Sequence, residues 1–173
     1  MPGLKNIHND GTMYIGFWQN VAIIDVGADM EVSHMKLVGS SYRTLLDHYP
    51  RGIAALVMIR AGTPVSSAEA RAEGARFTKD LGDLLLHVAM VIEERGVIAQ
   101  MLRSVVRGVN VLVRQTRLSL FDNIEEAMVA TLPMIVPATT RANLQTELRS
   151  TVATARATFR PAAKPSTPVT RWF

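Results

Sequence analysis

The chain has 173 residues, 48% of them hydrophobic and 20% charged, enough for one well-buried core and too few for two full domains. Up to Pro133 there are 13 Lys and Arg against 14 Asp and Glu, a net of −1; from Met134 onward there are 6 against 1, which puts the whole of the +4 excess in the C-terminal part. A nearly neutral folded part argues against a basic groove for nucleic acid, and the absence of Cys excludes disulfides, thiolate zinc sites and a Cys nucleophile.

No apolar run approaches the roughly 20 residues of a membrane helix. The opening MPGLKNIHNDG lacks the apolar core of a secretion signal. A cytoplasmic protein without a transmembrane segment is the expectation. Residues 1–11 are polar and carry Pro2, Gly3 and Gly11, the composition of a flexible arm. Met13 to Trp18 and Val21 to Val26 then alternate apolar residues across Gln19-Asn20, which predicts a β-hairpin. Met13, Ile15 and Phe17 share one face, and Tyr14 and Trp18 the other. The aromatic pair reads equally as an apolar patch at a sheet edge or as ordinary half-burial.

Val32, Met35, Val38, Tyr42, Leu45, Leu46 and Tyr49 recur at helical spacing and stop at Pro50-Arg51-Gly52. Ile53 to Ile59 is an unbroken apolar run, as expected for a strand buried on both faces of a parallel sheet. After a polar turn, Ser66 stands three residues before Glu69, the spacing of a capping box. The helix that follows uses Ala70, Gly74, Phe77 and Leu81, a narrow face built partly on small residues. His87 to Ile92 predicts a strand, Val97 to about Gly108 a helix, and Arg117 to Phe121 a last strand. Asp122 and Glu125 give a second capping-box spacing before a short helix over Ile124 to Leu132, and Pro133 and Pro137 end the folded part. The predicted order is β-β-α-β-α-β-α-β-α, an α/β mixed sheet that opens with a hairpin and continues through parallel strands.

That order, with HYPRGIAALVMIR, a Thr-Pro turn, VAMVIEERG and FDNIEEAM, resembles the STAS domains and the SpoIIAA-like (anti-sigma-factor-antagonist-like) family in its bacterial stand-alone form, over about Thr12 to Leu132. The resemblance implies a non-catalytic protein–protein interaction module, a regulatory adaptor in bacterial signalling. In the best-known branch a Ser or Thr at the start of the second helix is phosphorylated to switch binding. The matching positions here are Thr63, Ser66 and Ser67, without the usual Asp-Ser or Asp-Thr followed by Gly.

Read for chemistry alone, Ser66 and Ser67 have two roles open to them, helix capping and phosphoacceptor. His8, His34, His48 and His87 are scattered without metal-ligand spacing, and no nucleophile elbow or phosphate loop occurs. No catalytic, cofactor-binding or metal residue is therefore expected. In the basic extension of residues 134–173, a helix over 139–159 would align Leu144, Leu148, Val152, Ala155 and Phe159 in one stripe, suited to a partner's groove or to folding back on its own domain. The Pro-rich end, residues 160–173, closes on Trp172-Phe173, aromatics suited to docking. The leading expectation is a protein-binding adaptor with partners of unknown identity. The alternatives are a self-assembling homo-oligomer using the hairpin edge or tail, and an enzyme or a small-ligand or lipid carrier, which requires a pocket of convergent polar groups near residues 60–67.

Overall fold

Alternating and unbroken apolar runs arrange themselves as one sheet with both faces covered. The computed structural model describes residues 3–94, 96, 100–101, 103–104, 118–136 and 141–161. Strands β1 (Lys5–Asn9), β2 (Met13–Trp18), β3 (Val21–Val26), β4 (Ile53–Ile59), β5 (Leu85–Ile92) and β6 (Leu118–Phe121) lie side by side in chain order. The first three are antiparallel, and β3 to β6 run parallel. Helices α1 (Val32–His48) and α2 (Ala68–Leu81) make the first two crossovers. Both pack on one face, as successive crossovers of the same hand must. Helices α3 (Ile124–Thr131) and α4 (Arg141–Thr158) cover the other. The molecule is thus α/β with a mixed six-stranded sheet.

The hairpin forms where its pattern predicts, Trp18 pairing with Val21 across Gln19-Asn20, with Gln19 at φ 52°. On the α1/α2 face, Met13, Ile15, Phe17, Ile24, Ala55 and Val57 meet Val38, Tyr42, Leu45, Phe77 and Leu81. The Tyr42 and Phe77 rings stand edge to face at 5.7 Å. On the other face, Tyr14, Trp18, Ile23, Leu56, Met58 and Val91 lie under α3 and α4. Tyr14 and Trp18 are therefore core residues, 0% and 3% exposed, and form no surface patch.

Three boundaries differ from the sequence expectation. Residues 5–9 of the expected arm form β1, with Lys5 opposite Phe17 and Asn9 opposite Tyr14. KNIHN has one apolar residue and no alternation to read, so backbone pairing decides, and it covers the edge of β2 that a bare hairpin would expose. Strand β5 begins at Leu85, two residues early, after a single 3-10 turn over Gly82–Leu84. Of the helix expected from Val97 to Gly108, residues Gln100, Met101, Arg103 and Ser104 are described and helical; the remainder lies outside the described residues, as does Arg117.

The third difference is the largest. The folded part does not end at Pro133: Leu144, Leu148, Val152, Ala155 and Phe159 are all buried, 0–4% exposed, in the same core as β2, β3 and α3. Asn20 helps to fix this return of the chain. Its side-chain amide donates to the Gly52 carbonyl at 3.2 Å and the Met134 carbonyl at 2.9 Å, and its carbonyl accepts from the Val136 N–H at 3.0 Å. A hairpin-turn Asn, 0% exposed, thus ties the start of β4 to the approach to α4. Gly27 seats the far end of the helix, since a Cβ there would stand 2.8 Å from Pro161 and 3.0 Å from the Phe159 ring.

Asp10 closes the β1–β2 turn. Its carboxylate accepts from the Thr12 and Met13 N–H groups at 2.8 and 2.9 Å and lies 2.9 Å from His8 Nε2 and 3.4 Å from His34 Nε2. Desolvation pushes its pKa up, but the two backbone hydrogen bonds and His8 outweigh that and hold it at about 2, below the ordinary 3.8. A depressed carboxylate stabilises the fold fully above its unfolded value and stops doing so as the pH falls through its folded one. Asp10→Asn should therefore lower the thermal midpoint at neutral pH, and the gap to the parent should close between about pH 4 and about pH 2.

Candidate functional site

In parallel α/β sheets ligands gather outside the carboxyl ends of the strands, where chain direction and helix starts leave a crevice. Here those ends are Val26, Ile59, Ile92 and Phe121. Hydrogen bonds carry the ladder one residue further: Arg60 N–H to the Val26 carbonyl and Glu93 N–H to the Ile59 carbonyl, both at 2.9 Å. The chain after β4 then turns through Gly62, whose φ of 78° suits a residue without a side chain and whose N–H reaches Glu94 Oε2 at 2.5 Å.

The three predicted switch positions fall in this turn but differ in availability. Thr63 is 4% exposed, and its hydroxyl donates to the Val26 carbonyl at 3.2 Å, so it pins the turn to β3 and is closed to a modifying enzyme. Ser66 is half-buried and its carbonyl accepts from the Arg71 guanidinium. Ser67, not Ser66, is the N-cap of α2: its hydroxyl oxygen accepts from the Ala70 N–H at 3.1 Å. Glu69 is lowered in pKa by a hydrogen bond from its own backbone N–H and then by one from the Ser67 hydroxyl. Ser67 is the exposed hydroxyl of the three. The same one-residue offset recurs at α3, where Asn123 rather than Asp122 caps, accepting from the Glu126 N–H at 2.9 Å.

On the α4 side of the strand ends is a charged clamp. Asp25 is 0% exposed and held by Arg60 in a bidentate pair at 2.9 and 2.7 Å. Arg60 stacks over Phe159, 4.7 Å from the ring centroid, and donates to the Arg156 carbonyl at 3.2 Å. Arg156 in turn pairs with Glu93. Every charge in this chain of contacts is matched, and its geometry fastens the end of α4 to β3, β4 and β5. It joins elements and offers no free acid, base or nucleophile.

On the α1/α2 side is a cavity of about 200 Å³ between α2, α1 and the sheet. Met30, Met35, Val57, Phe77, Val88 and Met90 supply much of its apolar wall, and Thr63, Pro64, Val65 and Ser66 border it from the turn. It exists because α2 turns small residues inward: Gly74, Ala75 and Thr78 line it where larger side chains would fill the space. A Cβ on Gly74 would meet only Met35 Sδ, at 3.6 Å, an ordinary contact. Among the described residues Arg71 is the one charged side chain in the wall. Tyr42 also lines it, and burial pushes its phenol well above the ordinary value, so it stays neutral.

Leu144, Leu148, Val152 and Phe159, predicted to dock the tail, are core residues of this chain and are not available to a separate partner. Trp172 and Phe173 lie outside the described residues. Among the described residues no group of three or more His, Asp or Glu could hold a metal ion, and no helix is long and apolar enough to cross a membrane. Sequence reasoning missed Arg71, Met35 and Gly74 as cavity residues and Asp25 and Arg60 as a pair. The one available signal was a lone acid in the apolar run VAIIDV. Comparison with protein-family models, curated proteins and solved structures finds no match to this chain.

Proposed function

We propose that the chain is a non-catalytic, STAS-like regulatory module that holds a small apolar ligand beneath the corner it presents to a protein partner. The observation that carries this reading is the cavity of about 200 Å³ whose border is the 63–66 segment. The cavity lies near residues 60–67, where a ligand carrier would have its cleft; its wall is apolar rather than a set of convergent polar groups, and no acid–base or nucleophilic constellation accompanies it among the described residues. A bound apolar body would replace missing packing between α2 and the sheet, so the position of Pro64, Val65 and Ser67 would follow occupancy. That couples ligand to docking without a phosphoswitch, although Ser67 remains placed for one.

The experiment is a thermal-shift titration of the full chain with octanol, a neutral apolar probe. Ligands that bind only the folded state raise its stability by mass action. Octanol should raise the midpoint of the parent by a few degrees and leave Gly74→Leu, whose side chain would occupy part of the cavity, unmoved. A parent that does not respond, or a variant that responds equally, contradicts the reading.

A further inference from the structure

Resting on that reading, the geometry points to the ligand's chemistry: we infer that the cavity takes a small apolar monocarboxylate whose head group is held by Arg71. Volume sets the body. At about 200 Å³ the cavity exceeds the roughly 150 Å³ that accommodates benzene and falls below the roughly 300 Å³ at which drug-sized pockets begin. That suits a single ring or a chain of roughly six to eight carbons. The wall sets its polarity, because Met, Val, Leu and Phe side chains offer a buried hydroxyl or amide no partner on most sides.

Arg71 sets the head group. Its guanidinium donates to the Ser66 carbonyl, and Ser66 lines the same cavity, so the charge is held at the turn and not loose in solvent. A guanidinium has five N–H donors in a planar fork, and this contact uses one from Nη1. Among the described residues no carboxylate lies within 4.0 Å of it, whereas Arg43, Arg60, Arg76, Arg103, Arg149 and Arg156 each have one; Arg51 and Arg160 also lack one but do not line the cavity. An arginine fixed at the rim of an apolar cavity and lacking an anion matches a carboxylate by charge and by bidentate shape. Glu69 is the nearby acid that feels Arg71; it is exposed and engaged by Ser67. An amine head group would meet only repulsion at Arg71.

The test titrates the full chain calorimetrically with octanoate, octanol and octylamine, then repeats it with Arg71→Gln and Gly74→Leu. Octanoate should bind the parent at least about tenfold tighter than octanol, the factor expected of one charge-assisted contact, and octylamine more weakly than either. Arg71→Gln should lose the tenfold preference and still bind octanol as the parent does, which also shows that it is folded. Gly74→Leu should bind none of the three. Equal binding of octanoate and octanol, or a preference that survives Arg71→Gln, overturns the head-group inference while leaving an apolar site. Binding of no probe by the parent overturns both the inference and the functional reading on which it rests.

Discussion

A chain ended at Pro137 is expected not to fold into a stable monomer. The cut removes α4 and with it Leu144, Leu148, Val152, Ala155 and Phe159, each at most 4% exposed in the full chain. Burying a large aliphatic or aromatic side chain is worth about 1.5–3 kcal/mol, so four such losses rival the roughly 5–15 kcal/mol by which a domain is stable at all. The cut also bares Tyr14, Trp18 and Ile23 on the sheet and strands the buried Asp25–Arg60 pair without Phe159 above it. Circular dichroism should show no cooperative thermal transition, and sedimentation should show aggregates. A truncated chain that melts cooperatively as a monomer would mean that α4 is an appendage after all.

Arg60→Met should destabilise the full chain by about 3–5 kcal/mol, because removing one member of a buried pair leaves the other charge uncompensated. Asp25 has no water to turn to, being 0% exposed, and both Arg60 hydrogen bonds to it vanish. Arg60 keeps 22% of its side chain exposed, so the effect belongs toward the lower end of that range. Methionine retains the aliphatic stem but not the guanidinium that stacks on Phe159. Pairing the change with Asp25→Asn should recover a large part of the loss, since the residual cost is then a neutral amide rather than a bare carboxylate. Urea unfolding of the three variants measures this directly. A double variant as unstable as Arg60→Met would assign the loss to packing, not to charge.

Where a residue's environment is set by its near neighbours in sequence, the pattern was legible. The hairpin, α1 and β4 follow from alternation, helical spacing and an unbroken apolar run. The stripe from Leu144 to Phe159 was legible as a stripe, but its spacing is blind to which surface receives it, and here that surface is the sheet's own second face. β1 was hidden because an edge strand can be polar throughout. The caps were misplaced by one residue because Ser66 and Ser67 both satisfy the chemistry and the backbone path chooses between them.

The site was harder still. Asp25 and Arg60 are 35 residues apart and meet only because parallel register sets Asp25 beside Met58, two positions before Arg60. The cavity is legible as nothing at all in sequence. Ala70 and Gly74 read as part of a narrow helix face, and only the distance from α2 to the sheet converts missing side-chain volume into a space.

Whether that space is a binding site is tested most directly by amide chemical-shift mapping of the isotopically labelled full chain titrated with octanol. Saturable shifts should concentrate at Val26, Met35, Thr63, Val65, Ser66, Gly74 and Phe77, residues around the cavity, and vanish in Gly74→Leu. No saturable shifts, or shifts confined to exposed apolar residues such as Leu84 and Val129, would contradict a ligand beneath the corner.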